Sequence, residues 1–262
     1  MSPETRVAIV TGGAGRGIGH GITEALAATG WSLVLIDQDA DEAQRLAARL
    51  RTTGAKIHVL AADVTDRDCA RRSVATAVEK FGALHGLVNS VGIGLVKPVD
   101  EISDAEAERL FDVNFLAAFR FSRAALPELR KCSGAIVNIG SVHADAAAQK
   151  YALYAATKSA LEALTRGIAA DYGSHGVRAN IVHPGLVDSP QNAALLAAFT
   201  SDPGKWLHDY AATCQCLLRI ATAIEVGALV EFLLSARAGA ITGQSVRIDG
   251  GTSALLWNRE PG

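Results

Sequence analysis

The sequence predicts an α/β fold: a doubly wound, seven-stranded parallel sheet with helices on both faces, carried by a single domain spanning residues 1–262. Three observations predict it. Apolar strand-like runs alternate with amphipathic helical stretches along nearly the whole chain. The strand runs lack the polar alternation of a half-solvated strand, so each is to be covered on two faces. No shift in composition marks a linker.

The elements follow in order. Residues 6–11 form a buried-strand pattern that runs into the cluster Gly12-Gly-Ala-Gly-Arg-Gly17-Ile-Gly19, after which Ile18, Ile22, Ala25 and Leu26 set a helical period. A second strand over 31–36 ends at Asp37 and closes a first βαβ unit. The pattern repeats with a helix over 41–51, a strand over 57–61, a helix over 66–81 and a strand over 84–89. A long helical region over 105–130, a strand over 135–139, a helix over 151–172 and a strand over 177–182 follow. The last helix covers 222–234 and the last strand 245–248. Only 189–216, with Pro190, Pro203, Gly204 and Trp206, has no place in the alternation, and it reads as a substrate-binding lid.

A chain of 262 residues with 49% hydrophobic content can bury a sizeable core. Its net charge of −2, with both signs interspersed, offers no basic stripe for nucleic acid and no polybasic membrane patch. The N-terminus enters a strand without a signal-peptide pattern, and no apolar run reaches the length of a membrane span, so a cytoplasmic protein is expected. Cys69, Cys132, Cys214 and Cys216 do not have zinc or disulfide spacing, and the seven His include no helical pair; no metal is expected.

Tyr154 and Lys158 stand four residues apart on one helix and face the same way. Lowering a phenol from about 10 to about 7 takes roughly 4 kcal/mol. An ammonium about 4 Å away supplies an energy of that order, so the pair suffices for proton transfer to or from an alcohol oxygen. The turn from Gly12 to Gly19 lets backbone approach a pyrophosphate at a helix N-terminus, although the literal G-x-G-x-x-G spacing is absent. Asp37 ends the second strand, 20 residues after Gly17, where a carboxylate accepts from adenosine ribose hydroxyls and repels a 2′-phosphate. NAD is therefore favoured, with NADP not excluded because Arg16 is a nearby cation. Asp63 either holds the adenine edge or caps the following helix.

Taken together in order and spacing, these residues resemble the short-chain dehydrogenase/reductase family over nearly the whole chain, and the resemblance implies a Rossmann-type fold. Thr11 to Gly19 is similar to T-G-x-x-x-G-x-G, with one extra residue between Gly12 and Gly17. Ala62-Asp63-Val64 resembles the adenine-contacting D-V, and Asn89-Ser-Val-Gly92 resembles N-N-A-G with Ser90 and Val91 substituted. Asn114 matches the helix asparagine, Ser141 the serine after the fifth strand, and Tyr154-x-x-x-Lys158 the catalytic pair. His183-Pro184-Gly185-Leu186-Val187-Asp188-Ser189 resembles P-G-x-V-x-T, Ser189 keeping the hydroxyl, and 241–251 resembles the C-terminal strand.

The resemblance implies an oxidoreductase that exchanges a hydride between a nicotinamide cofactor and a secondary alcohol or ketone. Tyr154 would be its general acid/base, Lys158 would lower the Tyr154 pKa and hold the nicotinamide ribose, Ser141 would position the substrate oxygen, and Asn114 would interrupt its helix and hold a proton-relay water. Implied cofactor contacts are Gly13, Gly15, Arg16, Gly17, Ile18, Gly19, Asp37, Asp63, Val64, Asn89, Tyr154, Lys158, Pro184, Gly185, Val187 and Ser189. His143, Gln149, Tyr151, Leu186, Asp188 and Trp206 are the candidates for the substrate pocket; for His143 a surface or capping role, and for Tyr151 simple packing, stand beside that reading. The alternatives are an NADPH-dependent 3-oxoacyl or other carbonyl reductase and a non-catalytic dinucleotide-binding sensor or scaffold. A homo-oligomer, commonly a tetramer, is also implied, with Leu255, Leu256 and Trp257 of the tail packing on a neighbouring subunit or on their own chain.

Overall fold

The computed structural model describes residues 6–146, 148–197 and 200–255. Leu256 and Trp257 lie outside them. Seven strands make one parallel sheet: β1 (Val7–Thr11), β2 (Ser32–Asp37), β3 (Ile57–Ala61), β4 (Gly86–Asn89), β5 (Ala135–Ile139), β6 (Arg178–Pro184) and, last in the chain, β9 (Ser245–Ile248). Their spatial order is β3-β2-β1-β4-β5-β6-β9, so the winding direction reverses between β1 and β4. The crevice at that reversal, beyond the carboxyl ends of the strands, is where such sheets bind ligands. Central strands β1, β2, β4 and β5 are buried along their whole length, as their unbroken apolar runs require. β9, at the edge, alternates exposed and half-buried residues.

Helices cover both faces. On one side α1 (Ile18–Ala28) and α9 (Ala223–Leu234) pack on Val10, Leu35, Val88 and Val137, with α2 (Ala40–Arg51) beside them. On the other, α3 (Cys69–Phe81), α5 (Ala117–Leu129) and α6 (Ala152–Tyr172) enclose Ile9, Val34, Leu87 and Ile136. Caps mark several starts: Asp39 accepts from Glu42 N ahead of α2, and Ser103 and Thr222 form reciprocal capping boxes with Glu106 and Glu225 ahead of α4 (Asp104–Phe111) and α9.

The long helix expected over 105–130 is interrupted. Between α4 and α5 the backbone makes a single π-helical turn over Asp112–Leu116, with Asn114 at its centre. The segment expected to be a lid is more ordered than its composition suggested. Residues 189–216 carry two helices, α7 (Pro190–Leu196) and α8 (Pro203–Cys214), with Asp202 capping the second by accepting from Lys205 N. Two short strands, β7 (Val187–Asp188) and β8 (Ala221–Thr222), pair in parallel and tie the two ends of this excursion together. Among the described residues no helix is long and apolar enough to cross a membrane.

Candidate active site

The glycine turn leaves β1 at the reversal point. Gly12 takes a left-handed conformation (φ 64°) and donates to the Ile36 carbonyl at 2.7 Å. A Cβ on Gly19 would overlap the Gly12 carbonyl, so the first turn of α1 fits only without a side chain there. Thr23 of α1 donates to Gly13 O at 2.6 Å, and Asp37 Oδ2 accepts from Ala14 N at 3.1 Å, fixing the enlarged turn from both sides. Asp37 is buried, and its other oxygen accepts from Asp39 N. Each carboxylate oxygen has a further lone pair, so acceptor capacity remains.

A cleft of about 180 Å³ opens at this point, lined by Gly15, Gly17, Ile18, Gly19, Asp37, Asp63 and Val64. It continues along Ser90, Gly92 and Ile93 after β4. The N-terminus of α1 faces it, which favours a negatively charged group. Asp63 accepts from both Thr65 N and Thr65 Oγ1 at 2.8 Å and stands 3.5 Å from Arg109 Nη2. The Thr65 backbone bond and the Arg109 charge hold its carboxyl below the usual value, against the opposing effect of burial. Asp63 thus caps its turn and also lines the cleft.

Several cleft residues were not legible as site residues in the sequence. Arg109 reaches in from α4, Gln38 follows β2, and Gln191 comes from the first turn of α7. Gln191 N donates to Arg16 O, and its side chain lies against Gly17, so the lid helix rests on the glycine turn.

Other residues named from the sequence lie elsewhere. Arg16 is exposed on the outer side of the turn, in a second cavity of about 380 Å³ that it shares with His20, Arg45 and Arg49. Asn89 does not line the cleft: its amide donates to Asn138 Oδ1 at 2.8 Å and to Ser122 Oγ at 3.3 Å, tying β4 to β5 and α5. Strand pairing turns this side chain inward, and it supports the site from behind. Ser189 is buried and caps α7 by accepting from Asn192 N. Pro184 ends β6, Gly185 N donates to Ile248 O, and Val187 O accepts from Asn192 Nδ2, so this segment anchors the lid.

At the carboxyl ends of β4 and β5, Asn114, Ser141, Tyr154 and Lys158 are brought together. The π turn aims the Asn114 amide at Ile93, whose N–H it accepts at 2.8 Å and to whose carbonyl it donates at 3.0 Å. It also donates to Thr157 Oγ1 at 3.2 Å, and Thr157 donates to Tyr154 O, so Asn114 is linked to the helix that carries the pair. Lys158 is buried and donates to Ile139 O at 3.0 Å. A Cβ on Gly92 would lie 3.0 Å from Lys158 Nζ and 3.6 Å from Asn114 Oδ1, which measures how closely the three converge. Ser141 follows β5, accepts from His143 N at 3.2 Å and hydrogen-bonds Tyr154.

The electrostatics differ from the simple charge-pair expectation. Burial pushes the Tyr154 phenol up and the neighbouring Tyr151 adds to this, while the Ser141 bond opposes both. Burial lowers Lys158 to about 8. Its ammonium sits 5.8 Å from the Tyr154 ring centroid with a proton committed to Ile139 O, so desolvation outweighs the attraction between the two.

Around Tyr154 the His143 ring stacks on Tyr151 at 4.7 Å and meets Tyr154 edge-on at 6.0 Å. His143 and Tyr151 therefore border the Tyr154 phenol. Gln149 and Asp188 are exposed, Leu186 is half-buried, and Trp206 stacks on Tyr210 within α8. Among the described residues no group of three or more His, Cys, Asp or Glu is arranged to hold a metal.

Comparison with known proteins agrees with this geometry. Residues 13–253 match a family model described as enoyl-(acyl carrier protein) reductase. The chain is 35% identical to the short-chain reductase protein NovJ of Streptomyces niveus, over 94% of this chain and 93% of that one. It is 34% identical to a cyclopentanol dehydrogenase of Comamonas sp. (strain NCIMB 9872), over 95% and 97%. Among solved structures, L-sorbose reductase from Gluconobacter frateurii, complexed with NADPH and L-sorbose, superimposes with a TM-score of 0.90 at 27% identity, covering 98% of this chain and 99% of that one. With its reversal-point cleft and its convergent Ser141, Tyr154 and Lys158, the chain belongs to the short-chain dehydrogenase/reductase family of oxidoreductases.

Proposed function

We propose that the protein interconverts a secondary alcohol and its ketone with NAD(H), using Tyr154 as the general acid/base. The observation that carries this reading is the convergence of Ser141, Tyr154 and Lys158 beside a cleft that ends on the buried Asp37 carboxylate. The residues fit a dinucleotide: a glycine turn without side chains at Gly15, Gly17 and Gly19, a helix N-terminus for the pyrophosphate, and an acceptor at the strand end for ribose hydroxyls. The bound cofactor supplies or accepts hydride at C4 of its nicotinamide. Tyr154 Oη gives its proton to the carbonyl oxygen in reduction or takes the alcohol proton in oxidation. Ser141 Oγ holds that oxygen against Tyr154, and Lys158 holds the nicotinamide ribose. Asn114 fixes the loop at Ile93 and the start of α6.

A specific observation supports NADP as the second reading. Arg16, Arg45 and Arg49 surround the cavity just outside Gly15, although Arg45 and Arg49 are paired with Glu42 and Glu24. The L-sorbose reductase structure carries NADPH, whereas the acceptor at the end of β2 here is a carboxylate. We take the protein to act in the cytoplasm as a tetramer, on the composition argued above and on the apolar groove between α5 and α6 formed by Phe119, Leu126, Leu164 and Ile168, about 420 Å³ in volume, as the seat of a second copy.

The test is a panel of cyclic and aliphatic secondary alcohols, polyols, sugars and hydroxyacyl thioesters, followed through reduced-cofactor absorbance with NAD and NADP in parallel. Faster turnover of an alcohol with NAD supports the reading. Preference for NADP assigns the decision to the arginines.

A further inference from the structure

His183 is fully buried near the end of β6, and none of the roles above uses it. Its ring lies on Gly140, where a Cβ would overlap the imidazole. Ser141 is extended (φ −165°, ψ 153°), which turns its own N–H and C=O to the same side. His183 Nδ1 faces both, 3.0 Å from the Ser141 amide nitrogen and 2.7 Å from its carbonyl oxygen. Across the ring, Nε2 has no hydrogen-bond partner and stands 3.4 Å from Glu162 Oε2. The other Glu162 oxygen is bonded to Arg166.

A neutral imidazole has a single N–H, and neither tautomer serves both ends. With the hydrogen on Nδ1 the Ser141 carbonyl receives a donor, but the Nε2 lone pair confronts a carboxylate oxygen. With the hydrogen on Nε2 the carboxylate is satisfied, and the Ser141 carbonyl faces a lone pair at 2.7 Å. One additional proton between Nε2 and Oε2, whichever atom carries it, satisfies the Ser141 carbonyl and the Glu162 contact together and leaves only the Ser141 amide, 3.0 Å from Nδ1, without its acceptor. We propose that His183 is a positioning residue for Ser141: a proton shared with Glu162 keeps Nδ1–H on the Ser141 carbonyl and thereby sets the depth of the catalytic hydroxyl.

Loss of that proton as pH rises moves the imidazole's bond from the Ser141 carbonyl to the Ser141 amide. The charged groups facing His183 are Glu162 of α6, Asp145 in the turn after β5 and Arg247 of β9. Asp145 and Arg247 are bonded to each other, which leaves Glu162 in direct contact. Burial lowers the His183 pKa, while the Ser141 carbonyl and the two carboxylates oppose it.

The proposal rests on the catalytic reading of Ser141, and the test separates the two. Nitrogen-15 NMR of histidine-labelled enzyme reports the tautomer without any substrate, and His183→Asn identifies the signal. The expected result is Nδ1–H at low pH giving way to Nε2–H with a midpoint below the ordinary histidine value of 6.5, the direction in which burial moves it. Glu162→Gln, whose amide donates to Nε2, keeps Nδ1–H throughout. In turnover, with cyclopentanol as the first probe, wild-type kcat falls about tenfold through the same transition with KM changed less than about twofold. That limb is absent in Glu162→Gln and in His183→Asn, whose amide donates to the Ser141 carbonyl without titrating, and Glu162→Leu loses activity. A signal in which Nδ1 carries no hydrogen at any pH, or a Glu162→Gln enzyme that titrates like wild type, overturns the shared proton. A tautomer change without a kcat limb overturns the positioning role.

Discussion

At the scale of single residues, the site contains a buried cation whose cost can be read directly. Lys158 titrates at about 8 in the folded protein against 10.5 in the unfolded chain. Its burial penalty is fully present below about pH 8 and is relieved as pH rises towards 10.5, because across that window the folded state has shed the proton that the unfolded chain still carries. Lys158→Met should abolish turnover and also raise unfolding free energy at neutral pH, by roughly 3 kcal/mol at most. Denaturant titrations at several pH values check this. The advantage of the variant must shrink from pH 8 upward, and a gap independent of pH would show that burial is not its origin. Asp37 makes a second prediction: Asp37→Asn keeps one acceptor for Ala14 N and removes the charge, so the NADP to NAD ratio of kcat/KM should rise at least about tenfold. An unchanged ratio would move cofactor choice away from this carboxylate. Tyr154, Lys158, Ser141 and Asp37 were all legible in the sequence because their spacing along helices and strand ends is local. Arg109 and Gln191 were not, since only tertiary packing carries α4 and α7 to the cleft. The side-chain orientation of Asn89 was not legible either, since it depends on its neighbour β5.

At the scale of elements, two close approaches shape the site. A Cβ on Gly21 of α1 would overlap the Ala223 backbone, and one on Gly227 of α9 would overlap Gly21 O, so these helices touch main chain to main chain. This contact seats α1, and with it the helix N-terminus that faces the cleft. Gly227→Ala already adds the overlapping Cβ and should therefore destabilise the fold by about 3 kcal/mol; thermal unfolding against wild type measures it, and wild-type stability in the variant would refute the close approach. The π turn is the second device. Periodicity predicted one helix from 105 to 130 because the extra residue of a π turn leaves the apolar pattern on both sides nearly intact. The interruption was nonetheless legible through Asn114. The helices of the lid were hidden for another reason: Pro190 and Pro203 read as breakers, yet each opens a helix, where a missing N–H costs nothing.

At the scale of the whole molecule, the alternation of buried strands and amphipathic helices carried the sheet, its parallel sense and the position of the cleft, because each follows from local period and chain order. Assembly depends on surfaces. The groove between α5 and α6 leaves Phe119 37% exposed beside Leu126 and Leu164, and Phe119→Glu should shift the sedimentation coefficient towards smaller species. An unchanged sedimentation coefficient would contradict the proposed seat of a second copy in this groove. The central claim, that this fold brings a phenol to bear on an alcohol oxygen beside a dinucleotide cleft, is tested most directly by Tyr154→Phe. With an alcohol from the panel and the preferred cofactor, the account predicts kcat lower by at least about a hundredfold, while cofactor still quenches or shifts protein fluorescence as in wild type. Turnover within a few-fold of wild type in that variant would contradict it.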